Sequence, residues 1–171
     1  MLFKPELVEK IFKGKKTQTR RPFVQGDWGA EMIGGYWNVQ DGKGRLKWQV
    51  GKRYAVVPKR GERGVGFIEL ESIRREDVRL ISREGGIAEG FMDEYDAPRL
   101  RFLQTWASIY DPSFVCWFDP RIVDYMWYTS KRQLTNGTVC VGGWEELQQA
   151  FKDRPNERYD AWVLSFKPIS R

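Results

Sequence analysis

The chain has 171 residues, of which 41% are hydrophobic and 15% aromatic, and this composition predicts a folded domain with its own core rather than a disordered tail. Its 29 Lys and Arg residues outnumber its 23 Asp and Glu residues, which gives a net charge of +6. The sequence has no histidine. That absence excludes Ser-His-Asp and Cys-His catalytic groups, His-ligated zinc and an imidazole general base. Two cysteines cannot bind zinc alone, so the sequence predicts no metal and no cofactor.

The N-terminal sequence MLFKPELVEK contains acids and no signal-peptide core, and no apolar run is long enough to span a bilayer. We therefore predict a cytoplasmic protein without membrane association. In a reducing compartment, Cys116 and Cys140 are expected to be unpaired thiols.

Most of the positive charge lies at the start of the chain. Residues 1–25 contain seven Lys or Arg and two Glu, and 7 − 2 gives +5. Such a cluster attracts phosphate groups, which indicates a nucleic-acid partner. The alternative is that the excess charge only keeps the protein in solution.

The first elements in chain order are a helix and a cationic strand. Residues 5–13 predict an amphipathic helix that starts at Pro5 and ends before a left-handed Gly14. Residues 15–22, KKTQTRRP, predict an extended segment with a wet, cationic face.

The rest of the chain alternates short strands, turns and helices. Residues 23–51 are predicted to be irregular or rich in hairpins, and the acids of 66–77 are expected on a solvated strand edge. The further predicted elements are strands at 54–58, 66–73 and 161–166, helices at 98–110 and 144–152, and a hairpin turn at 135–138. This order predicts a single α+β domain over 1–171, built around a small β-barrel with two to four flanking helices.

Two groups of residues are candidates for chemistry. A bend near Gly14 would bring Lys16 and Thr19 into one pocket, where a desolvated lysine loses basicity and takes a proton from a threonine nucleophile. Glu89 stands beside Ala88, Gly90 and Phe91, and an apolar setting would raise its pKa and suit it to proton transfer. The competing interpretations are that Lys16 and Thr19 belong to a solvated strand and that Glu89 is a surface acid or a helix cap.

Eight tryptophans are present, and in a chain of this size most tryptophans belong to the core. Trp106 and Trp162 are expected in the core. Trp28, Trp37 and Trp48 lie among glycines and polar residues, and we predict that they form an exposed surface for stacking on bases.

Four blocks of this sequence resemble the ASCH domains, relatives of the PUA fold, and above all the versions found in bacteriophages and prophages. The blocks are FKPELVEKIFKGKKTQTRR at 3–21, GFIELESIRREDVRLISREGGIAEGF at 66–91, FLQTWASIYDP at 102–112 and AWVLSFKPI at 161–169. They occur in the family's order and cover about half of the chain.

The resemblance implies a small β-barrel flanked by helices, whose cleft carries a K-x-x-T-x-R strand and binds RNA. Related bacterial proteins are amidohydrolases that remove the acetyl group of N4-acetylcytidine, and Lys16, Thr19 and Glu89 match their motif, with Arg21 at the family's arginine. Those enzymes are much shorter, so segments 26–50 and 113–157 are interpreted as expanded loops.

Three functions follow as hypotheses. The first is RNA or nucleotide binding, with phosphate contacts from Lys15, Lys16, Arg20 and Arg21 and stacking on the three tryptophans. The second is a metal-independent amidohydrolase for N4-acetylcytidine-type nucleosides, with Lys16 as base, Thr19 as nucleophile and Glu89 as proton donor. The third is a phage protein-interaction module that uses segment 113–157.

Overall fold

The structure is a computed structural model that describes residues 1–91, 98–110, 116–117, 139–140 and 159–169. The chain divides into two compact units. Unit one comprises Met1–Glu76, Ala88–Gly90 and Asp160–Arg171, and unit two comprises Asp77–Ile87 and Phe91–Tyr159. Every residue of the candidate site described below belongs to unit one.

The described elements are, in chain order, one helix, six strands, a 3₁₀ turn with two helices, and three strands. The helices are α1 (Pro5–Phe12), α2 (Arg83–Ala88) and α3 (Pro98–Tyr110), with a 3₁₀ turn at Val78–Leu80. The strands are β1 (Gln18–Pro22), β2 (Trp28–Met32), β3 (Gly35–Gln40), β4 (Leu46–Gln49), β5 (Arg53–Val56), β6 (Gly66–Asp77), β7 (Cys116–Trp117), β8 (Val139–Cys140) and β9 (Asp160–Ile169).

Helix α1 follows the predicted pattern closely. Pro5 opens its first turn, where a missing backbone N–H costs no hydrogen bond. Its apolar stripe packs inward, and Ile11 is completely buried. Gly14, just beyond the helix, has a φ of 68° as the sequence predicts.

The strands form a four-stranded sheet of order β1-β9-β6-β5, a three-stranded sheet of order β2-β3-β4 and the short parallel pair β7-β8. The first strand of the chain therefore pairs with the last, and Thr19 lies opposite Leu164 in an antiparallel register. The buried core of unit one comprises Phe3, Ile11, Val39, Val56, Ile68, Leu70, Ile73, Trp162, Leu164 and Phe166.

The α+β class is confirmed, and three α-helices lie in the described part of the chain. The described strands form separate sheets, so the closed barrel stays a prediction. Strand β6 lies between β9 and β5 and pairs with β5 over Gly66–Glu69, so the expectation of a strand edge is wrong for Glu69. Of the two alternatives predicted for residues 23–51, the structure shows the hairpins, since β2, β3 and β4 pair antiparallel in chain order with two register shifts.

Helix α3 begins and ends where the sequence predicts, at Pro98 and Tyr110. Trp106 and Trp162 are both buried, as expected. The predicted turn at 135–138 and helix at 144–152 lie outside the described residues, as does nearly all of segment 113–157. None of the described helices has the length and apolarity that crossing a membrane requires.

Candidate functional site

Strand β1 and the turn before it place two cations on one face. Side chains alternate along an extended chain, so Lys16, Gln18 and Arg20 leave one side of the segment. Lys16 is 1% exposed and Arg20 is 4% exposed. The run therefore does not form a wet cationic surface, because its central cations are buried.

Glu89 reaches these cations because hydrogen bonds to the carbonyls on either side of it hold residues 88–90 against the start of the chain. The Thr17 amide donates to the Ala88 carbonyl at 2.9 Å, and Lys10 Nζ donates to the Gly90 carbonyl at 2.6 Å. Gly90 has a φ of 88°, a conformation that glycine adopts without strain. A Cβ there would lie 3.2 Å from Lys16 Cβ. Gly90 thus allows Glu89 to approach Lys16 closely.

The Lys16 ammonium group uses all three of its donors inside the protein. Its Nζ lies 2.6 Å from Glu89 Oε2, 2.9 Å from the Glu89 carbonyl and 2.7 Å from the Gln18 carbonyl. Burial lowers the pKa of Lys16, and the Arg21 and Arg20 charges lower it further, while Glu89 opposes the shift. The predicted loss of basicity by a desolvated lysine is therefore present.

Arg20 joins Glu89 to a second carboxylate. Its Nη1 lies 3.2 Å from Glu89 Oε1, and its Nε and Nη2 lie 3.1 and 2.8 Å from Glu76 Oε1. Glu76 Oε2 in turn accepts from Arg74 Nη2 at 2.8 Å. Charges alternate in sign along this chain from Lys16 to Arg74. Two carboxylates thus balance the two buried cations, a balance that a low-dielectric site requires.

We name Lys16, Glu89 and Arg20 the β1 cluster. The sequence predicts an apolar setting for Glu89, and that prediction is wrong, because two cations contact its carboxylate. Glu76, expected on a solvated edge, is a member of the ion-pair chain. The contacts of Arg20 with Glu89 and with Glu76 have no local sequence signal, because the partners are 69 and 56 residues apart.

Thr19 is buried but leaves the opposite face of β1 from Arg20, opposite Leu164 of the core. In the described part of the chain, its hydroxyl makes no hydrogen bond to Lys16 or to any other group. The structure therefore brings Lys16 and Glu89 together and leaves Thr19 unconnected to them. Gln18, on the face of the cluster, donates to Ser165 Oγ at 3.2 Å, while its buried Oε1 has no hydrogen-bond partner among the described residues.

The remaining predicted cations lie in different settings. Lys15 is exposed, with no ion pair in the described part of the chain. The Arg21 guanidinium donates to the Leu2 carbonyl at 2.6 Å and lies 5.4 Å from the centroid of the Phe3 ring. Arg21 therefore faces the first residues of the chain rather than Glu89.

Of the three tryptophans predicted to stack on bases, two are exposed. Trp28 is 50% exposed and Trp37 is 45% exposed, both on the three-stranded sheet. Trp48 packs against the core, and Lys47 Nζ lies 4.7 Å from its ring centroid. The structure thus separates Trp48 from the other two.

Sequence reasoning overlooked the buried carboxylate Asp27. Its Oδ2 accepts from Lys47 Nζ at 2.6 Å and from Trp162 Nε1 at 3.2 Å. These bonds tie the start of β2 to β4 and to the core indole of β9. Among the described residues, no group of three or more Cys, Asp or Glu is placed to hold a metal ion.

No protein-family model and no curated protein matches the sequence. Among solved structures, the chain is similar to the ASCH domain from Lactobacillus crispatus JV V101, with 17% identity and a TM-score of 0.48 over 95% of this chain and 70% of that one. It is also similar to two mutant forms of ZmASCH from Zymomonas mobilis. Each has 14% identity and a TM-score of 0.41 over 99% of this chain, and the match covers 73% and 68% of those chains.

The structural likeness is to ASCH domains. This is the family that the sequence blocks resemble, while the phage subclass stays a prediction. Because the TM-scores lie below 0.5, we argue the function from the geometry of the β1 cluster in this chain.

Proposed function

We propose that the chain binds RNA or a nucleotide and that the β1 cluster recognises a base carrying an amino group, such as cytosine. The observation that carries this proposal is the buried Glu89 carboxylate, which two cations orient and which, within the described part of the chain, keeps unused acceptor positions. A nucleobase amino group supplies the donors that such a carboxylate accepts.

Counting donors and acceptors favours a donor-bearing ligand over a phosphate. A carboxylate has roughly four acceptor positions, and Glu89 receives one bond from Lys16 and one from Arg20. Gln18 Oε1 adds a further acceptor without a partner. Lys16 already donates to three oxygens. A phosphate would have to displace these contacts, whereas a base amino group would use acceptor positions that Lys16 and Arg20 leave unused.

The proposal changes the roles that the sequence predicts. Lys16 and Arg20 position Glu89 and do not contact phosphate, so the sugar-phosphate backbone needs other, exposed cations. Trp28 and Trp37 offer indole faces on which neighbouring bases can stack. Trp48, which packs inward, takes no part.

Calorimetric titration with cytidine tests the proposal. We expect wild-type protein to bind and Glu89→Gln to weaken binding by at least about tenfold, because the neutral amide keeps one acceptor oxygen and loses the charge. Glu31→Gln, at an exposed glutamate, is the matched control and should bind as wild type does. Circular dichroism checks that both variants fold.

Two results would contradict the proposal. The first is wild-type protein that binds none of cytidine, adenosine and guanosine. The second is a folded Glu89→Gln variant that binds cytidine as tightly as wild type.

The second candidate is the amidohydrolase, which the lowered pKa of Lys16 favours. In that reaction Lys16 first passes a proton to Glu89 across their 2.6 Å hydrogen bond. The neutral Lys16 amine then takes a proton from Thr19, whose oxygen attacks the acetyl carbonyl, and the protonated Glu89 carboxyl gives its proton to the departing amine of the base. Water then releases acetate from Thr19. The reaction requires Thr19 to move within reach of Lys16, since no hydrogen bond joins them.

Incubation with N4-acetylcytidine, followed by chromatography, tests this candidate. Thr19→Ala should abolish cytidine release, and Thr17→Ala, at an exposed position just before the same strand, should leave it unchanged. Absence of cytidine with wild-type protein, or full activity of Thr19→Ala, removes the candidate while leaving the binding proposal intact.

A further inference from the structure

Unit one neutralises many of its exposed cations with neighbouring carboxylates. Arg45 pairs with Asp41 at 2.7 Å and Lys167 pairs with Glu69 at 3.2 Å. Lys13 pairs with Glu9 one helical turn away, and Arg75 pairs with Asp160 across the sheet. A cation without such a partner keeps its charge available to an anionic ligand.

In the described part of unit one, seven exposed cations have no carboxylate within 4.0 Å. They are Lys4, Lys15, Lys43, Lys52, Lys59, Arg60 and Arg63. Three of the seven fall within nine residues, on the loop 57–65 that connects β5 to β6. The only acid in this loop is Glu62, so the loop carries a net charge of +2.

The base of loop 57–65 is fixed by backbone pairing. Val56 lies opposite Gly66 in the β5–β6 register, and the Val65 amide donates to the Val56 carbonyl at 2.9 Å. The Glu62 amide donates to the Lys59 carbonyl at 3.1 Å, and Gly61 has a φ of 87°. The loop is thus a turn on a paired base that directs Lys59, Arg60 and Arg63 into solvent.

Lys4 follows a segment that pairs with the start of this loop. Leu2 and Val57 form a parallel bridge, and the Phe3 amide donates to the Val57 carbonyl at 3.0 Å. Parallel segments leave their pairing at the same end. Lys4 and Lys59, each two residues beyond the bridged pair, therefore emerge on the same side.

We propose that loop 57–65, together with Lys4, is the surface that contacts the phosphate groups of single-stranded RNA. Its four cations have no carboxylate to give up, so phosphate oxygens and released counterions supply the binding free energy. Lys16 and Arg20 are different, because each already forms an ion pair with Glu89 or Glu76 that a phosphate would have to break. The inference extends the proposed function, since it supplies the backbone contacts that the β1 cluster cannot make.

Fluorescence anisotropy with a short labelled oligocytidylate, measured over a series of NaCl concentrations, tests the surface. Each phosphate contact to a single strand contributes about 0.7 to the slope of log affinity against log salt. The triple variant Lys59→Gln/Arg60→Gln/Arg63→Gln should lower this slope by about 2. The control Lys43→Gln/Arg45→Gln/Lys52→Gln removes the same charge elsewhere and should leave the slope near the wild-type value.

The outcomes separate this inference from the proposed function. An unchanged slope in the loop variant, or equal losses in the loop and control variants, overturns the surface. If the loop variant loses its slope while Glu89→Gln still binds cytidine fully, the surface stands and the proposed base site fails. Binding of polyglutamate with no binding of the oligonucleotide overturns the RNA assignment and makes an acidic protein segment the partner.

Discussion

Two groups of cations in unit one differ in their surroundings. Lys16 and Arg20 are buried, and their charged groups are held by Glu89 and Glu76. Lys59, Arg60 and Arg63 on loop 57–65 are exposed and have no carboxylate partner in the described part of the chain. The first group organises a carboxylate inside the fold, whereas the second leaves positive charge open to solution.

The difference shows why charge density along a sequence does not locate a phosphate site. The run KKTQTRR is more cationic than loop 57–65, but the fold covers its central residues and supplies their counter-charges. What decides the role of a cation is whether the fold has already paired it.

The largest effect is expected when the buried pairing is broken. Lys16→Met should lower the free energy of unfolding by about 3 kcal/mol or more, because Glu89 then keeps one cationic partner in a buried setting. Urea denaturation measures the loss. Lys15→Met, at the exposed neighbour, should cause no measurable change, and equal effects at the two positions would contradict the contrast between the groups.

The conformation of Gly90 gives the next largest effect. Gly90→Ala should cost about 2 kcal/mol, because φ is positive and the new Cβ lies 3.2 Å from Lys16 Cβ. Gly14→Ala is the matched control, since Gly14 also has a positive φ but faces open space, and it should cost about 1 kcal/mol. Thermal unfolding compares the stability losses of the two variants. Equal losses would mean that residues 88–90 do not pack closely against Lys16.

Glu76 links the buried cluster to the surface and should have a smaller effect. Glu76→Gln should cost about 1 kcal/mol, since Arg20 and Arg74 keep one amide oxygen as a partner. Glu71→Gln on the same strand is the control, as Glu71 has only a 3.8 Å contact with Lys167. If Glu76→Gln is as stable as the control in urea, Arg20 does not depend on Glu76.

The pH dependence of stability gives the finest test of burial. The pKa of Lys16 is 10.5 in the unfolded chain, and burial lowers it in the folded protein. At a pH between the folded and the unfolded pKa, the folded protein therefore binds fewer protons than the unfolded chain. The contribution of Lys16 to the free energy of unfolding therefore rises with pH. It is complete above pH 10.5 and is lost as the pH falls through the folded pKa. The stability difference between wild type and Lys16→Met should grow as the pH is raised toward 10.5. A stability difference that becomes smaller as the pH is raised would contradict the lowered pKa of Lys16.

Local patterns in the sequence predicted much of the fold. The apolar stripe and flanking Pro and Gly located α1, and helical spacing located α3 over Pro98–Tyr110. Hairpins were one of the two predictions for 23–51, but the individual strands could not be assigned, because glycines and two register shifts interrupt the alternation of polar and apolar residues. The interior position of β6 follows from pairing with β9, about ninety residues away, which no local pattern reports.

The candidate site was predicted in part, for a similar reason. Lys16 and Glu89 were identified through the family resemblance and lie in contact. The partners of Arg20, the buried Asp27 and the inward packing of Trp48 depend on tertiary contacts. The alternation of side chains along β1 indicated that Thr19 and Arg20 leave opposite faces.

The most direct test of the central claim compares the binding of cytidine with that of N4,N4-dimethylcytidine, which keeps the ring but lacks amino hydrogens. If Glu89, oriented by Lys16 and Arg20, accepts hydrogen bonds from the base amino group, wild-type protein should prefer cytidine by at least about tenfold, and Glu89→Gln should lose most of that preference. Equal binding of the two nucleosides by wild-type protein would contradict the claim.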